Sequence, residues 1–261
     1  MAFKAALVTG AGVRIGREIA VMLGGKGIDV AVHYAGSADG AAETVGMIEA
    51  AGGSAVAIQA DLLSDTQIAD LVGKASDALG QPLDILVNNA SIFEYDNIDT
   101  ATFQSWDRHI ATNLKAPLFL SQAFARQAPK AASDENGEPM AQAMILNMID
   151  QRVRSLTPEF MTYTLAKSAL WTLTQTSAQA LAPDIRVNAI GPGPTVQGHR
   201  QSTEHFSKQR ENTVLKRGSS APEIAEMAAF LLSAPAITGQ LFCLDGGQHL
   251  TWETPDVLGV E

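Results

Sequence analysis

Tyr163 and Lys167 stand four residues apart in the run Tyr163-Thr164-Leu165-Ala166-Lys167. On a helix that spacing sends both side chains out of one face. An ammonium beside a phenol stabilises the phenolate and lowers its pKa from about 10, so the tyrosine can give or take a proton near neutral pH. Asp150 ends the apolar run before this helix. It is either a carboxylic acid working beside that phenol or a surface acid paired with Arg152 or Arg154, the latter contributing little energy. The other chemical feature is Thr9-Gly10-Ala11-Gly12-Val13-Arg14-Ile15-Gly16, between an apolar run and a helix-period stretch. Gly10 permits a tight turn, Gly16 a close helix–strand approach, and the helix N-terminus offers free N–H groups to a pyrophosphate.

The dinucleotide can be narrowed. Sites for NAD place Asp or Glu at the end of the second strand, where it binds the ribose hydroxyls. Here that strand ends Val32-His33-Tyr34, Ser37 follows, and no carboxylate appears until Asp39. A 2′-phosphate would accept hydrogen bonds from His33, Ser37 and the Arg14 guanidinium, which favours NADP(H). The alternative makes His33 and Tyr34 ordinary strand-end residues and Arg14 a surface charge.

Elements must position these groups. Short apolar runs alternate with helix-period stretches through the first half, which predicts βαβ units and a parallel sheet. Ile68, Leu71, Val72, Ala75 and Leu79 form one stripe of a helix that packs on it. A long helix is expected over residues 100–127, with Trp106, Ile110, Leu114 and Leu118 on one side, and Trp106 and Trp171 are read as packing residues. Residues 128–142 are polar and read as a surface loop without chemistry. Another helix is expected from Pro158, and about seven strands in all make a doubly wound α/β fold in a single domain. Residues 198–213 interrupt the pattern just after a strand end, where open α/β sheets bind ligands. They form either a substrate lid or a solvated helix.

The 261 residues suffice for a large core without disulfides or metal. The lone Cys243 lies in an apolar run and reads as a buried structural thiol. His33, His109, His199, His205 and His249 show no metal-ligand spacing with the carboxylates or Cys243, so no metal site is expected. A formal charge of −10 opposes a nucleic-acid or acidic-membrane partner. The first ten residues carry no signal-peptide pattern, and a cytoplasmic location is expected.

These pieces together resemble the short-chain dehydrogenase/reductase family over nearly the whole chain. Besides the glycine turn and the Tyr163/Lys167 pair, the matches are Asp61-Leu62, Asn88-Asn89-Ala90, Asn113, Arg186-Val187-Asn188 and Pro192-Gly193. The resemblance implies that Asp61 and Leu62 hold the adenine, that Asn89 and Ala90 line the cofactor, and that Pro192, Gly193 and Thr195 embrace the nicotinamide. It further implies that Lys167 binds the nicotinamide ribose, that Asn113 supports a proton-relay water, and that the protein is a homotetramer. In that assembly the helices of residues 100–127 and 158–182 would pair across one interface and the C-terminal segment would lie at another.

Three departures are informative: Arg14 replaces a glycine, Ser91 replaces the glycine after Asn-Asn-Ala, and Asp150 replaces a serine. All three resemble the pteridine reductases, as do His33-Tyr34, Phe93 and the run Leu244-Asp245-Gly246-Gly247 before His249-Leu250. An ionised carboxylate accepts hydrogen bonds but repels a developing oxyanion, so plain ketone reduction is disfavoured. A pterin offers N–H and amino donors, and reduction of its C=N bond needs a proton on nitrogen. By resemblance, Phe93 and the nicotinamide sandwich the pterin, while Ser91 and Arg14 contact substrate and cofactor phosphates. Residue by residue, Phe93 could instead be a lid over core and Ser91 a turn cap. Arg200, His205, Lys208 and Arg210 could hold a folate tail carboxylate or be solvated charges. The reading is an NADPH-dependent pteridine reductase; the alternatives are a reductase of another carbonyl or imine, and a non-catalytic NADP(H)-binding sensor.

Overall fold

The computed structural model describes residues 3–198 and 201–252. Its first half is β1 (Ala5–Val8), α1 (Arg14–Gly25), β2 (Asp29–Tyr34), α2 (Ala38–Ala50), β3 (Ala55–Gln59), α3 (Asp65–Leu79) and β4 (Ile85–Asn88). Then follow α4 (Phe103–Ile110), a π-helical turn (Ala111–Lys115), α5 (Ala116–Gln127), a hairpin of β5 (Ala132–Ser133) and β6 (Pro139–Met140), and β7 (Ala143–Met148). The remainder is α6 (Met161–Leu181), β8 (Ile185–Pro192), α7 (Thr203–Glu211), α8 (Ala221–Leu232) and β9 (Leu241–Leu244).

Seven strands form one parallel sheet in the order β3-β2-β1-β4-β7-β8-β9. Helices cover both faces, so the central strands are apolar throughout rather than alternating. Successive residues of β1 feed opposite cores. Ala5 and Leu7 pack with Ile68, Leu71, Leu120 and Phe124, while Ala6 and Val8 pack with Ile19, Leu23, Ile48 and Ile224. The strand order reverses between β1 and β4, and a crevice opens there at the carboxyl ends of the strands. No described helix is long and apolar enough to cross a membrane.

Several local expectations are corrected. The helix expected over 100–127 is broken in phase by the π turn, which inserts an extra residue per turn. The buried side chains are His109, Thr112, Asn113, Ala116, Pro117, Leu120, Ser121 and Phe124, whereas Trp106 and Leu118 stand 42% and 41% exposed. Trp106 is therefore not a packing residue within the chain, while Trp171 does pack, against a cluster around Leu170 and Leu241. The polar stretch 128–142 contains the short hairpin. The helix expected from Pro158 begins at Met161, after Phe160 in a left-handed conformation. Cys243 is partly buried, and burial pushes its thiol up to about 11, which leaves it a poor nucleophile.

Arg186-Val187-Asn188 is a structural device. The buried Arg186 guanidinium donates to the carbonyls of Leu231 (2.8 Å), Leu232 (3.2 Å) and Ala234 (3.0 Å), closing the C-terminal end of α8. Asn188 donates to Ile237 O at 2.9 Å and accepts from Gln240 N at 3.1 Å, which sets the entry to β9. Arg186→Met strands those buried carbonyls and should cost roughly 2–3 kcal/mol. The unfolding midpoint should drop by several degrees, and an unchanged midpoint in a thermal melt would contradict this capping role.

Candidate active site

The crevice is a cleft of about 1040 Å³ that contains every sequence-predicted site residue except Asn113 on its wall. At one end the glycine turn leaves β1 for α1. Gly10, at φ +63°, donates its N–H to His33 Nδ1 at 3.0 Å, and His33 Nε2 lies 3.0 Å from Ala60 O. A carbonyl only accepts, so Nε2 carries the proton and Nδ1 is the acceptor. Both ring nitrogens are thereby committed, and His33 is 1% exposed. This corrects the expectation that His33 donates to a phosphate: the ring instead staples the turn to the end of β3. Burial lowers its pKa, overriding the Ala60 hydrogen bond.

Asn89 and Ala90 hold the turn from the other side. Asn89 Nδ2 donates to Thr9 O (2.8 Å) and Gly10 O (3.2 Å), and the Asn89 and Ala90 amides donate to Thr9 Oγ1. A Cβ on Gly16 would sit 2.4 Å from both Asn89 Nδ2 and Gly10 O, so only glycine lets α1 approach this closely. Arg14 occupies the left-handed region at φ +57°. Its guanidinium crosses the cleft mouth to the carbonyls of Val196 (2.9 Å) and Gln197 (3.1 Å). Ile15, Tyr34, Ser37, Asp61 and Leu62 line the same end. Asp61 is oriented by Leu63 N–H on its carboxylate (2.9 Å) and by donating its own N–H to Gln67 (2.7 Å).

These residues fit a dinucleotide bearing an extra phosphate. The first turn of α1 contains no acid, and its N-terminus faces the cleft. No carboxylate stands at the end of β2. At the far end Gly193 N donates to Leu244 O at 3.1 Å, and a Cβ there would lie 2.6 Å from Asp245. Thr195 bonds Gly193 O and Ser219, and with Pro192 and Gly193 it borders the cleft beside Lys167.

The chemical centre joins the end of β7 to the first turn of α6. Tyr163 donates its O–H to Asp150 Oδ2 at 2.9 Å, while Asp150 Oδ1 accepts the Arg152 N–H at 2.8 Å. The carboxylate thus turns inward to the phenol rather than outward to an arginine. Burial raises the Asp150 carboxyl above its ordinary range, against the lowering effect of the Arg152 amide. Burial first, and then the Asp150 charge and hydrogen bond, raise Tyr163 well above 10. The expected lowering of the phenol by Lys167 is corrected. Lys167 Nζ donates to Met148 O at 2.7 Å and lies 5.8 Å from the centre of the phenol ring. Burial brings Lys167 itself down to about 8, so the lysine, not the phenol, is shifted toward neutrality.

Asn113 sits in the π turn and uses both side-chain polar atoms on the Ile92 backbone, at 3.0 and 2.9 Å. It pins the loop bearing Ser91 and Phe93. Phe93 stacks on Phe160 with centroids 4.3 Å apart and meets Tyr163 edge-on at 4.7 Å. A flat ligand entering on the Phe160 side would have to replace that stack. Phe160 and Tyr95 also line the cleft and were not singled out by sequence, and so does Arg152, read there only as a surface partner of Asp150, with its guanidinium 5.1 Å from the Phe160 ring centre. No local pattern marks Phe160, because its left-handed backbone is set by tertiary contacts.

Helix α7 borders the mouth through His205, Phe206 and Gln209. Lys208 is exposed. Arg210 is neither solvated nor aimed at a ligand: it donates to Pro194 O (2.7 Å), Ser219 O (2.8 Å) and Gly218 O (2.9 Å). Arg200 lies outside the described residues.

A doubly wound sheet with a glycine turn at its switch point, and a Tyr/Lys pair facing the same crevice, defines a protein of the dinucleotide-binding α/β class. Comparison with known proteins narrows this. The family model for enoyl-(acyl carrier protein) reductase matches residues 10–249. The chain is 34% identical to a 3-oxoacyl-[acyl-carrier-protein] reductase FabG of Staphylococcus epidermidis over 95% of this chain and 99% of that protein. It is similar to the FolM alternative dihydrofolate reductase 1 of Brucella suis, solved with NADP, at 43% identity and a TM-score of 0.89, covering 97% and 98% of the chains. It is also similar to the angucycline C-6 ketoreductase LanV with bound NADP, at 33% identity and a TM-score of 0.85, covering 95% and 96%. The chain belongs to the short-chain dehydrogenase/reductase family of oxidoreductases.

The His33 staple has a pH signature. Its folded pKa lies below the unfolded value of about 6.5, so the unfolded chain takes up the proton first and stability falls as pH drops through that value. His33→Gln can supply the same acceptor and donor without titrating. The difference in unfolding free energy between wild type and His33→Gln should move against the wild type between about pH 7 and 5.5. A difference independent of pH in urea titrations would refute the neutral-histidine staple.

Proposed function

We propose that the protein is an NADPH-dependent reductase of a pteridine C=N bond, acting on a dihydropterin or dihydrofolate type of substrate. The observation that carries this reading is the inward-facing Asp150 carboxyl, 2.9 Å from the Tyr163 phenol. NADPH, when bound, supplies the hydride. The glycine turn, the α1 N-terminus, Arg14, Tyr34 and Ser37 would hold its phosphates. Asp61 and Leu62 would hold the adenine, and Ala90, Lys167, Pro192, Gly193 and Thr195 the nicotinamide riboside.

The rest is done by this chain's own groups. Asp150 as a carboxylate accepts hydrogen bonds from ring N–H and amino groups, which a ketone does not have. Its raised pKa lets it also take a proton more readily than an ordinary carboxylate and, with the Tyr163 O–H beside it, hand one to a ring nitrogen. Lys167, brought down to about 8, is a further proton store lining the same cleft. Phe93, Phe160 and Tyr163 offer apolar ring faces and edges suited to a flat heterocycle. The helix α7 serves as the lid over this end.

The similarity to the Brucella alternative dihydrofolate reductase supports the same substrate class. The likeness to FabG and to LanV favours a second reading, a reductase for another carbonyl compound. Against it stands the carboxylate in the place where a developing oxyanion needs donors. Phe103 at 92% exposure, with Leu118, Phe119 and Leu165 also uncovered, supports a homotetramer assembled through α4, α5 and α6.

Steady-state NADPH oxidation separates the readings. Dihydromonapterin, dihydrobiopterin or dihydrofolate should be turned over and simple ketones should not; the reverse outcome refutes the pteridine reading. Asp150→Ser should lower pterin kcat/KM by about 10²-fold or more, the scale of acid–base catalysis, with a much smaller change in NADPH affinity. Tyr163→Phe should abolish turnover while NADPH still binds, and a protein that never turned over any acceptor would instead be a binding module.

A further inference from the structure

Helix α6 begins without a cap of its own. Phe160 at the cap position makes no side-chain hydrogen bond, and the first turn contains no acid. Yet Tyr163 stands in that turn, where the unpaired N–H groups of a helix would otherwise leave the backbone free to fray. The missing cap comes from Asp96, in the loop between β4 and α4. Its carbonyl accepts Phe160 N–H at 2.7 Å and Met161 N–H at 3.3 Å. Its Oδ1 accepts Thr162 N–H at 3.1 Å, and its Oδ2 accepts the hydroxyls of Thr162 and of Ser105, the latter at 2.9 Å.

The same carboxylate reaches further through Thr162. Because the Thr162 hydroxyl proton goes to Asp96, Thr162 Oγ1 accepts His109 Nδ1–H at 2.6 Å, and His109 Nε2 is left to accept Glu94 N–H at 3.1 Å. All three side chains are buried. The His109 ring also lies edge-on to the Tyr163 ring, centroids 5.9 Å apart. One connected network therefore ties the first turn of α6 to α4 and to the loop bearing Phe93, which stacks on Phe160. Asp150, the phenol's partner, lies two residues beyond β7 and outside this network, so the network sets where the phenol meets it.

We propose that Asp96 is a positioning residue for the Tyr163 phenol, acting through Thr162 and His109. It accounts for how a helix with no cap in its own sequence presents the phenol at a fixed place. The catalytic half of this inference rests on the reductase reading; the structural half does not.

Thr162→Val removes the hydroxyl that joins Asp96 to His109, and Thr162→Ser keeps it. Hydrogen exchange on the ligand-free protein should show about tenfold or faster exchange in Thr162→Val, confined to residues 91–97 and 158–165. The NADPH dissociation constant should stay within about threefold, while kcat falls by tenfold or more, as expected when a reacting group is displaced by about 1 Å. Thr162→Ser should restore both protection and kcat. Unchanged protection in Thr162→Val, or faster exchange across the whole chain, overturns the positioning role. If the wild type itself reduces no pterin, the functional reading fails, and the exchange pattern still decides whether the network holds the phenol's helix.

Discussion

The hydrogen bond from the Tyr163 phenol to the Asp150 carboxyl is the interaction on which the site turns. Two acids meet there out of bulk water, and burial raises both. Burial and the Asp150 charge make the phenol harder to ionise, while the phenol's hydrogen bond only partly offsets the burial that raises the carboxyl. Beside them burial brings Lys167 down to about 8, so the carboxyl and the lysine are shifted toward neutral pH and the phenol away from it. Replacing a hydroxyl by a carboxyl at this place changes which substrates are stabilised: donors on a ring are welcomed and an oxyanion is opposed.

The fold exists to put that pair beside a dinucleotide cleft. Strand order reverses between β1 and β4, and the turn after β1 is held from two sides, by His33 from β2 and by Asn89 after β4. Lys167 and Tyr163 arrive from α6, and Asp150 from the loop after β7, in the other half of the sheet. The Arg14 guanidinium spans the gap to residues 196 and 197. Binding a cofactor and orienting a proton donor are thus consequences of one sheet topology.

Much of this was legible in the sequence because it is local. Gly10 and Gly16 at their spacing, apolar runs buried on both faces, and Tyr163 and Lys167 one helical turn apart all follow from short-range geometry. The stripe of Ile68, Leu71, Val72 and Ala75 is buried as its period predicts. What was missed depends on partners distant in the chain. His33 reads as a phosphate donor until Gly10 and Ala60 are seen to use both its nitrogens. The lowering of the phenol expected from the Lys167 spacing does not hold, because burial and Asp150 raise it. The π turn shifts the phase between α4 and α5, and Asp96 caps a helix whose sequence shows no cap.

The most direct test is the ionisation of the Asp150 carboxyl itself. Carbon-13 labelled aspartate, with the Asp150 resonance assigned by its loss in Asp150→Asn, can be followed by NMR across acid and neutral pH. The resonance should titrate above the ordinary aspartate value of 3.8 and move higher still in Tyr163→Phe, because the phenol's hydrogen bond favours the charged form. Titration at or below 3.8, indifferent to the phenol, would mean that the two groups do not share their proton and would remove the basis of the proposed chemistry.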